Sequence, residues 1–405
     1  MIRPISLYLI ACLSLADYLA YDKMVSDAGV WAILLLVIVP ALVLTVSPKV
    51  QTRAFGVQHL TGVLLIAWSV DLLVFAWLEY VELLVGEHPL LVSFGALFPI
   101  VLSLSILWWL TSPIKNRFAW MSHRLRLDVL LLFVPLFFIW GVRDVAMQFF
   151  NFEIAEEAMF IAIVLLIIFS PMVIRCILSP KELNDNNLMR LVQQVAHRAG
   201  VRNAKVLVWK THMLLMNAFA VGIIFQPKTI VFTDKLIKNL SQQELLAVAR
   251  HEFAHHRFWH LSFLLLGMFC VLLWTDSLAD FLQLDTSARI FLIFQLVLMI
   301  AAYIFLSRKF EEQADAYAVA DQSTSEGSTV ILSGASQCMS SALEAIANAS
   351  HISTERNDVL HGSIHARQLR LESLADCPVQ AIPIYRTVKR IKIAIVLLLV
   401  LGFIV

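Results

Sequence analysis

Apolar runs take up so much of this chain that they limit what it can fold into before any motif is considered. Nine can be drawn, at 5–21, 29–46, 60–78, 90–110, 129–149, 158–178, 261–274, 290–306 and 391–405. A helix that crosses a bilayer needs about twenty apolar residues, or fewer where flanking side chains reach back to the interface. The first, seventh and ninth runs fit this measure least well. Of 405 residues 60% are hydrophobic and 15% charged, and the mean hydropathy is +0.79. That balance excludes an ordinary soluble domain and predicts a polytopic α-helical membrane protein of about nine spans with a polar part. Asp17, Asp71 and the Arg143-Asp144 pair fall inside runs. Ionisable groups there face the protein interior and often mark function; Asp71, central in its run, has no assigned role, and Arg143-Asp144 reads as pairing within the bundle.

The remaining composition narrows the partners. A net charge of +1 is neutral on the matter, but no basic tract follows the pattern of a phosphate-binding surface, so nucleic acid is not expected. The cysteines Cys12, Cys176, Cys270, Cys338 and Cys377 are scattered, without metal or CxxC spacing, which argues against a disulfide framework.

Two polar blocks, 179–260 and 307–390, hold the chemistry. In the first, Leu188 to Ala199 reads as a helix closed by Gly200. Ala204 to Trp209, Asn217 to Phe225 and Thr229 to Thr233 read as strands. Ser241 to His260, SQQELLAVARHEFAHHRFWH, reads as one uninterrupted helix opened by a Ser241/Glu244 capping box. It can run straight on into the seventh apolar run. His251 and His255 lie i,i+4 on one face and can offer two imidazole nitrogens to one metal ion. Glu252 stands beside them as general base for the water that such an ion activates, the HExxH arrangement of zinc hydrolases. His256 faces elsewhere, and His260 lies half a turn off the ligand face, so both read as structural.

In the second block, Ser307 to Asp315, SRKFEEQAD, continues helically from the eighth apolar run. Catalytic zinc takes three protein ligands. Glu311 is the expected third, with Asp315 on the same face orienting a ligand histidine through its other ring nitrogen. Glu312 reads as a surface carboxylate. Ser336 to Ala349 reads as a further helix.

HExxH, an apolar hairpin, then SRxxExxAD resembles the HtpX and CaaX-prenyl-protease family of membrane zinc metallopeptidases. Asn217-Ala218-Phe219-Ala220-Val221-Gly222 resembles its N-A-F-x-x-G strand, and Thr229 to Asp234 the strand before its catalytic helix. His361 and Arg367 resemble its H-P-x-x-x-x-R element, with Gly362 in place of the proline. The resemblance covers roughly 180–375. It implies one Zn2+ per chain and a zinc endopeptidase acting on protein or peptide substrates in or near the bilayer. His361 or Arg367 would be the donor to the tetrahedral oxyanion; the alternative is that both are structural and pair with carboxylates. The strand at Asn217, Ala218, Phe219 and Ala220 would take an extended substrate by strand addition.

The expected organisation is a bundle of about six spans at 1–178 and an α+β zincin-like metallopeptidase domain at 179–390. A transmembrane hairpin at 261–306 splits that domain, and an apolar helix follows at 391–405. Segments on one side of the early spans carry Arg3, Lys49, Arg53, Lys115, Arg117, Arg124 and Arg126, against Lys23 and Arg143 on the other. Lys and Arg bias in short loops sets orientation. It predicts an active site facing the cytoplasm, in what would be a bacterial inner membrane. A sensor whose peptidase domain is the output, or a prenyl-protein-type processing protease, are the alternatives. The substrate, cleavage specificity and oligomeric state are not legible.

Overall fold

A computed structural model describes residues 54–402 apart from 75–76, 87, 114, 151, 223–227, 285–288, 351–352, 356–357 and 359–361, together with Ile5, Leu9, Cys12 and Leu13. Most of the first apolar run and all of the second lie outside the described residues. The chain divides into two units, 1–167 with 176–178, and 168–175 with 179–405.

The first unit is helical. It comprises α1 (Ala54–Val74), α2 (Trp77–Val85), α3 (Pro89–Leu110), α4 (Arg117–Leu125), α5 (Leu131–Phe149), joined to α4 by a π turn, and most of α6 (Phe152–Ile168). Trp68, Leu72, Ile100, Leu104, Leu107, Trp108 and Phe133 form its core. Trp68 is wholly buried and satisfies its indole by donating Nε1–H to the Ala96 carbonyl at 2.9 Å. Arg143 and Asp144 each take a partner from another helix of the unit, as the reading of pairing within the bundle expects. Arg143 Nε meets Glu156 Oε1 at 3.2 Å. Asp144 Oδ2 accepts from the Leu90 amide, one of the N–H groups that the start of α3 leaves without a helical partner. Asp71 is fully buried, and neither of its carboxylate oxygens has a hydrogen-bond partner among the described residues.

The second unit opens with α7 (Ser170–Leu178), shared with the first, and then builds a small sheet. Its strands are β1 (Lys181–Glu182), β2 (Lys205–Trp209), β3 (Ala218–Val221) and β4 (Thr229–Thr233), with α8 (Asn186–Arg198) between β1 and β2. The order is β1-β2-β4-β3. β2 runs parallel to β4, and β3 runs antiparallel to it with Ala220 opposite Ile230. Every residue of β4 is buried, as its apolar centre Ile230-Val231-Phe232 expects of a strand covered on both faces. Among the described residues, β3 has a strand partner on one side only.

A short helix, α9 (Asp234–Asn239), leads to α10 (Gln242–Arg257), which starts where the capping box places it. Glu244 N–H donates to Ser241 Oγ at 3.3 Å, and Glu244 Oε2 accepts from the Ser241 amide at 2.8 Å. Then come α11 (His260–Phe281), α12 (Arg289–Ser325), α13 (Ser333–Ala349), α14 (Ile364–Ser373) and α15 (Pro383–Gly402). The 37-residue α12 carries the eighth apolar run and the SRKFEEQAD segment without interruption. Val192, Ile230, Phe232, Leu236, Phe253, Ala254, Ala314 and Tyr317 close the core between sheet and helices.

Among the described residues, three helical stretches are long and apolar enough to cross a membrane: Pro89–Leu110, Arg117–Phe149 and His260–Phe281. Two bent pairs raise the count to five if each is one span: Leu60–Leu72 with Trp77–Val85 at 64°, and Ile154–Ile168 with Ser170–Leu178 at 71°.

One expectation fails here. The helix read as continuous from Ser241 to His260 and onward stops at Arg257. Trp259 takes a left-handed conformation, φ 57°, and α11 starts afresh at His260. That conformation costs a non-glycine residue on the order of 1–2 kcal/mol. It persists because the helix end is held from outside. Lys228 Nζ donates to the His256 carbonyl at 3.2 Å and sits over the Trp259 ring, while Lys392 from α15 donates to the Phe258 carbonyl. Cations on the last carbonyls of a helix satisfy orphan acceptors and favour its negative end.

Candidate metal centre

Helices α10 and α12 cross so that Ala247, Ala314, Ala316 and Ala318 are buried about the contact. Small side chains there let the two backbones approach. His251, Glu252 and His255 come from α10, and Glu311 and Asp315 from α12. His251 Nε2 lies 3.4 Å from Glu311 Oε2, and His255 Nε2 lies 3.5 Å from Glu311 Oε1. The two Nε2 atoms are 3.3 Å apart. One atom from each of His251, His255 and Glu311 falls within 4.8 Å of the others. Two imidazoles and one carboxylate in that compass fit the donor set of a catalytic zinc site, which keeps a further position for a reactant.

The surroundings fix these groups. Asp315 Oδ1 sits 2.9 Å from His251 Nδ1, so that ring presents Nε2 to the centre. Arg367, from α14, donates Nε to Asp315 Oδ2 at 2.8 Å and Nη2 to Asp315 Oδ1 at 2.6 Å, and its Nη2 is 3.7 Å from Glu311 Oε2. Burial alone would raise the Asp315 carboxyl, but Arg367 and His251 outweigh it and hold it at about 2. Burial likewise opposes ionisation of Glu311, yet His251, His255 and Arg367 carry it well below the ordinary value. Burial lowers His255 to about 4, leaving it neutral. Burial raises Glu252 to about 7, and its carboxylate takes a backbone hydrogen bond from Ala220 on the open edge of β3.

The other residues singled out from sequence are placed as follows. Asn217 precedes β3, and its Oδ1 accepts from the Ala218 amide at 2.9 Å. Phe219 and Ala220 are half-buried on the strand that reaches Glu252. Arg367 reaches the site, with its fork committed to Asp315. His361 lies outside the described residues. Glu312 pairs with Lys309 at 2.9 Å on the surface. His256 turns to the sheet, with Nε2 3.1 Å from the Thr229 carbonyl.

His260 is the residue whose place the sequence did not suggest. On a continuous helix it would point away from the ligand face. The break at Trp259 swings it back, and its Nδ1 stands 3.0 Å from His255 Nδ1. Its Nε2 is 2.9 Å from Gln313 Oε1 on α12.

The comparisons with known proteins point the same way. Residues 182–331 match the model of Peptidase family M48. This part of the chain is similar to the peptidases of that family. The resemblance to the HtpX and CaaX-prenyl-protease family is borne out. A Protease HtpX homolog of Archaeoglobus fulgidus is 27% identical over 170 residues, covering 42% of this chain. That match spans 49% of the relative, about half its length. A crystal structure of S. mikatae Ste24p aligns at 17% identity with a TM-score of 0.49, covering 91% of this chain and 97% of that one.

The buried ion pair beside the centre carries a prediction. Arg367→Ala leaves Asp315 and Glu311 buried without their cation, and removing one partner of such a pair costs about 3–5 kcal/mol. Thermal unfolding of the purified chain should show a drop of several degrees. An unchanged melting temperature would mean that the guanidinium contributes nothing to holding the carboxylates.

Proposed function

We propose that the chain is a membrane-embedded zinc endopeptidase that hydrolyses peptide bonds of membrane or membrane-proximal proteins. The observation that carries this reading is the convergence of His251, His255 and Glu311, from two helices, beside a buried Glu252. His251, His255 and Glu311 would hold the ion, and Asp315 would orient His251. A zinc ion so held supplies Lewis acidity to the scissile carbonyl and the attacking water. Glu252 takes the proton of that water and passes it to the leaving amine. Its burial beside the ligands supports the role: in the zinc-free chain it raises the carboxyl to about 7, toward the range in which a general base works near neutral pH. A substrate added antiparallel along the open edge of β3 would run past Glu252. Asn217 Oδ1 would then release the Ala218 amide to the substrate backbone. Arg367 acts through Asp315 and Glu311, and His361 remains the candidate donor to the oxyanion.

The test is metal-dependent cleavage. Detergent-purified chain incubated with unfolded β-casein should cleave it, lose that activity on treatment with a zinc chelator, and regain it with stoichiometric zinc. Cleavage indifferent to chelation would sink the reading.

We place this site on the cytoplasmic side of a bilayer crossed about nine times, on the loop-charge asymmetry. Single cysteines in a cysteine-free background, probed in intact cells, check it. One at Lys238 or in the 112–127 segment should resist an impermeant thiol reagent, and one near Glu87 or Glu156 should react. The opposite pattern would put the site outside the cytoplasm.

A further inference from the structure

The two histidines of the centre are oriented by different devices. His251 has a carboxylate behind it, Asp315, itself neutralised by Arg367. Behind His255 stand, among the described residues, not a carboxylate but a second histidine and an amide, and that arrangement exists only because the chain breaks at Trp259. We propose that His260 and Gln313 form an uncharged relay that positions His255 as a metal ligand. The inference rests on the zinc reading above and extends it to two residues that touch neither metal nor substrate.

Proton bookkeeping leads there. His255 Nδ1 and His260 Nδ1 are 3.0 Å apart, a distance at which one proton must lie between them, since two lone pairs or two N–H groups would repel. For His255 to offer a lone pair from Nε2, its ring proton must sit on Nδ1 and point at His260. His260 then accepts at Nδ1 and carries its own proton on Nε2. That proton needs an acceptor, and Gln313 Oε1 stands 2.9 Å away. The series Gln313, His260, His255 is therefore satisfied at every atom with no net charge.

The reverse series, with the Gln313 amide turned over, would place a proton on His255 Nε2. That proton would face His251 Nε2 at 3.3 Å and Glu311 Oε1 at 3.5 Å, where the ligand lone pair is needed. Gln313 thus selects between a ligating and a non-ligating His255.

The ring of His260 is held for this. It lies parallel to Phe310 with centroids 4.6 Å apart, and stacks on Phe258 at 5.8 Å. Both His260 and Gln313 are buried, so water does not compete for their hydrogen bonds. An uncharged relay also has an electrostatic consequence. Two neutral imidazoles and Glu311 leave a divalent ion with net positive charge, whereas a second carboxylate behind His255 would offset it and weaken its pull on a carbonyl.

Partners that orient a ligating histidine are worth about 10–100-fold in metal affinity. The experiment measures the zinc dissociation constant of the full chain in detergent by competition with a chromophoric chelator. Unfolding temperature of the zinc-free form serves as the fold control. His260→Phe keeps the stacking surface and removes the acceptor; it should weaken zinc by about 10–100-fold. Gln313→Leu should weaken it in the same sense. Gln313→Glu, which when ionised has only acceptors to offer, should bind at least as tightly as the parent at a pH above the titration of that carboxyl. Wild-type affinity in His260→Phe or in Gln313→Leu overturns the relay. So does an equal loss in Gln313→Leu and Gln313→Glu, since packing would then be what matters. If His260→Phe does not fold, the Gln313 pair decides. A parent chain that takes up no zinc fails the underlying metal reading instead, and the two failures are distinct.

Discussion

Glu252→Gln is expected to abolish hydrolysis while leaving zinc content at the parent level. The reason is local. Glu252 faces the centre from the same helix turn as His251, yet the metal-donor cluster is complete without it. Glutamine keeps the volume, and its amide oxygen can still accept from the Ala220 backbone. What it cannot do is take a proton from water. General bases contribute about 10²–10⁴-fold, so casein cleavage should fall by about that factor. Comparable turnover would show that the proton goes elsewhere.

The same variant has a stability signature in the zinc-free form. The folded-state value of Glu252, about 7, lies above its ordinary 4.5 because of burial. The folded protein therefore binds this proton more tightly than the unfolded chain. The corresponding stability is fully present below pH 4.5 and is lost as pH rises through 7. Glutamine never ionises and escapes the loss. Chelated Glu252→Gln should unfold at the parent's temperature near pH 4. Above pH 7 it should unfold several degrees higher, with on the order of 3 kcal/mol as the ceiling. A constant offset across pH would show that Glu252 is not driven upward by its burial.

What the sequence made legible follows from periodicity and short-range chemistry. The capping box fixed the start of α10, because Ser241 and Glu244 need only each other's backbone. β4 was readable to the residue, since Thr229 to Thr233 is a run of β-branched and aromatic residues bounded by Lys228 and Asp234. The i,i+4 pairs on α10 and α12 named the side chains that do converge, because a regular helix conserves its faces. The end of α10 was not readable. Nothing in Arg257-Phe258-Trp259-His260 breaks a helix locally. The break is imposed by Lys228 and Lys392, one before and one far beyond it in the chain. His260 was missed for the same reason: its position depends on the break and not on its spacing from His251. That Arg367 pairs with a carboxylate was one of two readings open from the sequence; that the carboxylate is Asp315, 52 residues away, was not legible.

Glu311→Ala should remove bound zinc, and Glu312→Ala should leave it untouched. The two neighbours point about 100° apart on α12, and the structure assigns them opposite surroundings. The oxygens of Glu311 are divided between the two histidines, Oε2 toward His251 and Oε1 toward His255. Losing it leaves two donors where catalytic zinc takes three, and it also strips Arg367 of one of its two carboxylates. Glu312 holds only Lys309, across a half-exposed i,i+3 pair worth less than about 1 kcal/mol. Zinc per chain, measured by elemental analysis after gel filtration, should fall toward zero for the first variant and match the parent for the second. Glu311→Gln separates charge from shape. If the negative charge is what holds the ion, it should lose zinc nearly as fully as alanine does. If zinc stays with Glu311→Ala and leaves with Glu312→Ala, the third ligand has been assigned to the wrong face of α12.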